Sequence, residues 1–187
     1  MDLPLGWIFR ILLGCAAAGL AAVAVLLATQ SGAHAAPPNY AQANIGGLEY
    51  HAVAGRPMHP GNSVDAAITR GLPARSRHLS HGQILYGGFL AVTNSSRTPI
   101  PSAARIELRD DDGSTYQPIP VPASNPYAYR PATIRPGETV PRDDRAADNL
   151  AAGGRVLLFR VPAARYRNGA VFELAVHTGA GTRTVEI

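Results

Sequence analysis

The chain has no lysine: all 17 of its basic residues are arginines, set against 13 acids for a formal charge of +4. The arginines are scattered and form no stripe, so the basic balance reads as a GC-rich coding bias and argues against a nucleic-acid-binding surface. Cysteine is almost missing as well. Cys15 is the single one and lies in an N-terminal apolar run, which excludes an intradomain disulfide, a thiolate zinc site and a cysteine nucleophile from the rest of the chain. A body of about 140 residues buries roughly two-thirds of its unfolded surface and holds together without covalent staples. Gly-x-Ser-x-Gly elbows, phosphate-binding loops and dinucleotide fingerprints are absent too. Ser80 and His81 are sequence neighbours and cannot by themselves pair as nucleophile and base. A hydrolase is therefore the remotest of the functions weighed below.

What is present begins with "ILLGCAAAGLAAVAVLLA", Ile11 to Ala28, 18 residues without a charge. Such a run is the length of a membrane-spanning helix. Arg10 is the only basic residue near either end and the next is Arg56. That asymmetry predicts a cytoplasmic N-terminus and an extracytoplasmic remainder. The length favours a retained single-pass anchor in the cell membrane. The alternative is a signal peptide cut after Ala35, where Ala33-His34-Ala35 supplies the small-x-small pattern and the domain is secreted. The predicted organisation is a transmembrane helix over 1–29, an Ala/Pro-rich tether over 30–47 and a folded domain over 48–187.

Within that domain "LEYHAV" reads as a strand, followed by a Pro- and Gly-rich loop. "ILYGGFLAVTN", Ile84 to Asn94, is apolar on both faces and predicts a central strand. In "ARIELRD", Ala104, Ile106 and Leu108 alternate with Arg105, Glu107 and Arg109, as in a half-buried strand with a wet face. "GRVLLFRVP" is a second buried strand, "VFELAVH" puts Phe172, Leu174 and Val176 inward, and "TRTVEI" closes the chain. "YAYRPATI" and "RPGETVP" are broken by prolines, as edge strands are. Only "DDRAADNLAAGG", Asp143 to Gly154, reads as helical in the body. Seven or eight short antiparallel strands with Gly/Pro turns predict an all-β sandwich.

Three aspartates stand together in "ELRDDDGSTY". With Gly113 at position 6 of a calcium loop, Leu108 falls at position 1 and Ile119 at position 12, so the register fails. Asp-Gly between alternating strands is a hairpin signal, with a type I′ turn expected and Asp110 and Asp111 facing solvent beside Arg109. A strand ending in "FLAVTN", then "LRDDDGSTYQP", "RPGE", "GGRVLLFRVP" and "FEL" resembles the immunoglobulin-like, telokin-like domains of exported or membrane-anchored bacterial proteins, over Leu85 to about Val176. The resemblance implies an Ig-like β-sandwich and brings no catalytic residues with it. Many of those proteins are lipoproteins, but "LLGC" here precedes its apolar stretch and is no usable lipidation site.

Three sets of residues are candidates for function. His51, Met58, His59, His78 and His81 form a His/Met set for a small ligand or a metal such as copper, although no spacing matches a known geometry and no cofactor is expected. Arg70, Arg75 and Arg77, with His78 and His81, concentrate positive charge that suits anionic lipid headgroups or a phosphate-bearing wall polymer. Tyr127 and Tyr129 are expected on one strand face, to stack on a sugar or partner chain or to pack over the sandwich edge. The expected function is a non-catalytic, membrane-tethered domain for protein interaction or envelope organisation, with the His/Met module as the alternative.

Overall fold

The computed structural model describes residues 41–141 and 154–187, so the predicted N-terminal span, most of the tether and all but the last residue of the predicted helix at Asp143 to Gly154 lie outside the described residues. Among the described residues there are eleven strands, several of only two residues, where seven or eight were expected, and three short helices at positions where none was expected. No helix among them is long and apolar enough to cross a membrane.

Strand β1 (Gln42–Ile45) pairs antiparallel with β2 (Leu48–Pro57), and Ile45 faces Leu48 across Gly46 and Gly47. Both glycines have positive φ, 62° and 88°, as both central residues of a tight type I′ hairpin must. The stretch read as the end of a flexible tether is therefore a hairpin, and the domain starts before Leu48. β3 (Gln83–Asn94) lies between β2 and β9 (Arg155–Pro162), with β8 (Thr139–Val140) beside its C-terminal end. A second sheet orders β11 (Gly181–Glu186), β10 (Phe172–Thr178), β5 (Arg105–Asp110) and β6 (Thr115–Tyr116), all pairings antiparallel. β4 (Ile100–Pro101) and β7 (Thr133–Ile134) make a separate two-stranded pair.

The two larger sheets enclose one core: Tyr50, Tyr86, Leu90 and Phe159 from the first meet Ile106, Leu108, Phe172 and Leu174 from the second. This is a β-sandwich in which inward residues follow the two-residue period. β3 and β9 are also apolar on the side facing away from that core. There Leu85, Phe89, Val156 and Leu158 join Met58, Ile68, Leu72 and Ile119 in a second cluster. An apolar outer sheet face needs a cover, and it receives one from the chain between β2 and β3. That cover contains α1 (Ser63–Thr69) and α2 (Ala74–Arg77), which the proline and glycine content had concealed. Gly87 makes room for it: a Cβ there would stand 2.8 Å from the Met58 sulfur. The third helix, α3 (Ala163–Arg167), follows β9.

The free side of β9 is occupied as well. Ile119 N–H donates to the Leu158 carbonyl (2.7 Å), Tyr129 N–H to the Val156 carbonyl (2.9 Å), and Val156 N–H to the Tyr127 carbonyl (2.8 Å).

Candidate interaction site

The excursion between β2 and β3 is fastened at its root by a buried ion pair. Asn62 caps α1 by accepting from Val64 N–H at 2.8 Å. Asp65, fully buried, takes Arg56 Nη1 at 2.8 Å, Arg56 Nη2 at 2.6 Å and the His59 N–H at 2.8 Å. Burial pushes the Asp65 carboxyl up, but those three bonds outweigh it and hold the group below its ordinary range. The Arg56 guanidinium also lies 5.3 Å from the Phe89 ring centre, over the second cluster. Ile68 and Leu72 then bury their side chains in that cluster, with Val64 and Leu79 packed against it, while the basic residues between and after them point to solvent.

Those outward residues are Arg70, Arg75, Arg77, His78 and His81, all exposed. No acid occurs between Asp65 and Glu107. Among the described residues, none of these five side chains has an ion pair or hydrogen bond. Other arginines do: Arg56 holds Asp65, Arg105 and Arg109 flank Glu107, and Arg165 meets Asp110, Asp111 and Asp112.

Arg70 lies beside Tyr127. A depression of about 310 Å³ is lined by Ala67, Arg70 and Gly71 at the end of α1 and by Ser124, Asn125, Pro126 and Tyr127 of the opposing loop. Asn125 holds its two sides together: its amide donates to the Ile68 carbonyl at 2.6 Å and its oxygen accepts from the Tyr127 N–H at 2.9 Å. Tyr129 is elsewhere. Its ring packs on the inter-sheet core and its hydroxyl donates to the Ala103 carbonyl at 2.8 Å, whereas Tyr127 packs on the second cluster. The expected shared face fails because Pro126 and Tyr127 lie in a turn, where strand alternation does not hold.

The His/Met set is dispersed in its environments. His51 stands on β2 with Nε2 3.6 Å from Glu49, Met58 is buried, and His59, His78 and His81 are exposed. α2 ends at His78, so the helical spacing that a His78/His81 chelate needs is not formed. Among the described residues no three of His, Cys, Asp and Glu come together as a metal-holding group.

Two polar clusters escaped the sequence reading. Glu107, expected on a wet face, is 2% exposed. One oxygen accepts from Arg105 Nε (2.9 Å), Arg105 Nη2 (2.6 Å) and Gln117 Nε2 (2.8 Å), and the other lies 3.2 Å from His177 Nε2. The hydrogen bonds from Gln117 and Arg105 outweigh burial and lower its pKa to about 2. His177 Nδ1 is 3.0 Å from the Thr182 hydroxyl, which gives a hydroxyl–imidazole–carboxylate chain across three strands. The carboxylate is already held by Arg105 and Gln117, so the chain orients His177 and ties β11 to β5. Arg-x-Glu-x-Arg on one strand face was a readable sign of the ion triplet; His177 entered only through strand pairing.

Asp110 is the second. The aspartates do form a hairpin tip between β5 and β6, as expected, but Gly113 alone has positive φ (83°) and its N–H bonds the Asp110 carbonyl at 2.9 Å. The loop is thus three residues, Asp111 to Gly113, and not a two-residue I′ turn. Asp110 does not face solvent: its carboxylate accepts from Ser114 N–H (2.8 Å), Tyr116 Oη (2.8 Å) and Arg165 Nε (3.0 Å). Burial raises the carboxyl and these donors, Tyr116 first, bring it below its usual value.

No family model and no curated protein matches this chain. Solved structures do. The candidate lipoprotein YcdA of Bacillus subtilis superposes with a TM-score of 0.52 at 13% identity, over 80% of this chain and 38% of that one. The chain thus spans well under half the length of that protein. A conserved hypothetical protein of Bacillus anthracis gives 0.47 at 10% identity, over 79% and 94% of the two chains. An uncharacterized β-sandwich protein of Clostridium difficile gives 0.39 at 12%, over 78% and 89%. The fold is shared with a bacterial protein; at such identities nothing else carries over.

Proposed function

We propose that the chain is a non-catalytic, membrane-tethered extracytoplasmic domain of immunoglobulin-like type that binds an anionic component of the cell envelope through the face bearing Arg70, Arg75 and Arg77. The observation that carries this reading is the charge of the excursion: Arg70, Arg75 and Arg77 are exposed, have no side-chain partner among the described residues, and lie on a stretch from Ala66 to Ile106 that holds no acid. Unmatched charge of one sign on a rigidly anchored face favours a partner of the opposite sign. The tether and its orientation are supported by the uncharged run from Ile11 to Ala28 and by Arg10 before it. The lipoprotein description of YcdA, a property of that protein, agrees with an envelope location.

The test is photo-crosslinking in whole cells, with a photoreactive residue replacing Ser80, since the absence of lysine leaves side chains closed to amine-directed reagents. The unaltered face captures an envelope component, and the triple variant Arg70→Gln, Arg75→Gln, Arg77→Gln captures little of it. Equal capture by both overturns the reading.

A further inference from the structure

The charged face alone does not say which polyanion it meets; the depression beside it does. This inference rests on the reading of Arg70, Arg75 and Arg77 as a binding face and names its ligand. Three polar groups line the depression without a side-chain partner among the described residues: the Arg70 guanidinium, the Ser124 hydroxyl and the Tyr127 hydroxyl. Its frame is fixed independently of any ligand, because Asn125 bonds both walls and Val156 N–H holds the Tyr127 carbonyl at 2.8 Å. A half-buried aromatic ring flanked by free hydroxyls suits a sugar, whose C–H face packs on the ring while its hydroxyls exchange hydrogen bonds. A guanidinium in the same depression suits a phosphate, which it grips by two parallel N–H donors. At about 310 Å³ the space fits a small group and not a folded partner.

A lipid surface fits less well. Insertion into headgroups needs exposed apolar side chains beside the cations, and the large exposed ones among the described residues are Tyr166 and Val171, which belong to α3 and the turn after it.

We propose that the depression lined by Arg70, Ser124 and Tyr127 is a subsite for one sugar–phosphate unit of an anionic glycan polymer, with Arg75 and Arg77 taking neighbouring phosphates. The full-length protein in non-ionic detergent is titrated with three probes: a glycosylated polyol-phosphate polymer, inorganic polyphosphate of similar charge, and vesicles containing phosphatidylglycerol. The glycosylated polymer binds about tenfold tighter than polyphosphate, the scale of one stacking contact. Tyr127→Ala removes that preference. Tyr127→Phe keeps most of it, which separates loss of the ring from loss of folding. Arg75→Gln with Arg77→Gln weakens both polymers and flattens their salt dependence. Equal affinity for the two polymers, unmoved by Tyr127→Ala, overturns the sugar subsite and leaves the anionic face standing. Binding to vesicles alone overturns it in favour of a lipid surface. No binding to any probe overturns both the subsite and the function on which it rests.

Discussion

Glu107→Gln tests how much of the stability of the second sheet is electrostatic. The carboxyl titrates at about 2, where an unperturbed one titrates at 4.5. Linkage makes that difference a stability term that is fully present above about pH 4.5 and is lost as the pH falls through about 2. Unscreened, the interval is worth roughly 3 kcal/mol. Two of the hydrogen bonds come from Arg105, whose side chain is 68% exposed, and the carboxylate is sealed by side chains just below the surface. Solvent screening therefore reduces the expected value to about 1–2 kcal/mol, or about 3–8 °C in Tm. In melting curves from pH 7 to pH 2, the variant is less stable than the parent at neutral pH and the gap closes toward pH 2. Asp65 and Asp110 are also held below their ordinary values and lower the stability of both proteins alike in acid, so the difference between the two curves isolates Glu107. A gap that stays constant over the range, or no gap at pH 7, refutes the reasoning.

Asp110→Asn removes the charge that Tyr116, Ser114 and Arg165 surround and is expected to cost roughly 1–3 kcal/mol in urea unfolding, with faster exchange of the Ser114 amide. Asn125→Ala leaves the buried Ile68 carbonyl without its side-chain donor and releases the Tyr127 N–H. The expected loss is about 1–3 kcal/mol, and binding at the Arg70 depression weakens with it in the titration above. Gly87→Ala places a methyl 2.8 Å from the Met58 sulfur and lowers stability by roughly 1–3 kcal/mol, while Gly61→Ala, with nothing within 4 Å, changes the urea midpoint little.

The strands of the core were legible because period-two burial is a local signal. β3, β9 and β10 lie where their apolar runs put them, and even the two-sided burial of β3 showed in "ILYGGFL". β1 was not read, since Gly46-Gly47 carries the same composition in a linker as in a hairpin turn and only the partner strand decides between them. α1 had its signals in Asn62, Asp65 and the spacing of Val64, Ile68 and Leu72, but Pro57, Pro60 and Gly61 masked them. The exposed arginines and Tyr127 were found from composition. The depression that joins Arg70 to Tyr127 was not, because Asn125 makes it by bonding a carbonyl 57 residues away. Asp110 is the same case: the turn was local, while its burial depends on Arg165, 55 residues further on.

The loop that runs beside β9 has a consequence for crowding. A bare row of amide and carbonyl groups on a long, apolar, two-sided strand is a template on which a neighbouring copy can add its own strand. Here Ile119, Tyr127 and Tyr129 already fill three of those valences, and the prolines around them withhold further donors. Neighbouring copies are thereby kept from adding a strand at β9, so the protein can be concentrated without polymerising through this edge.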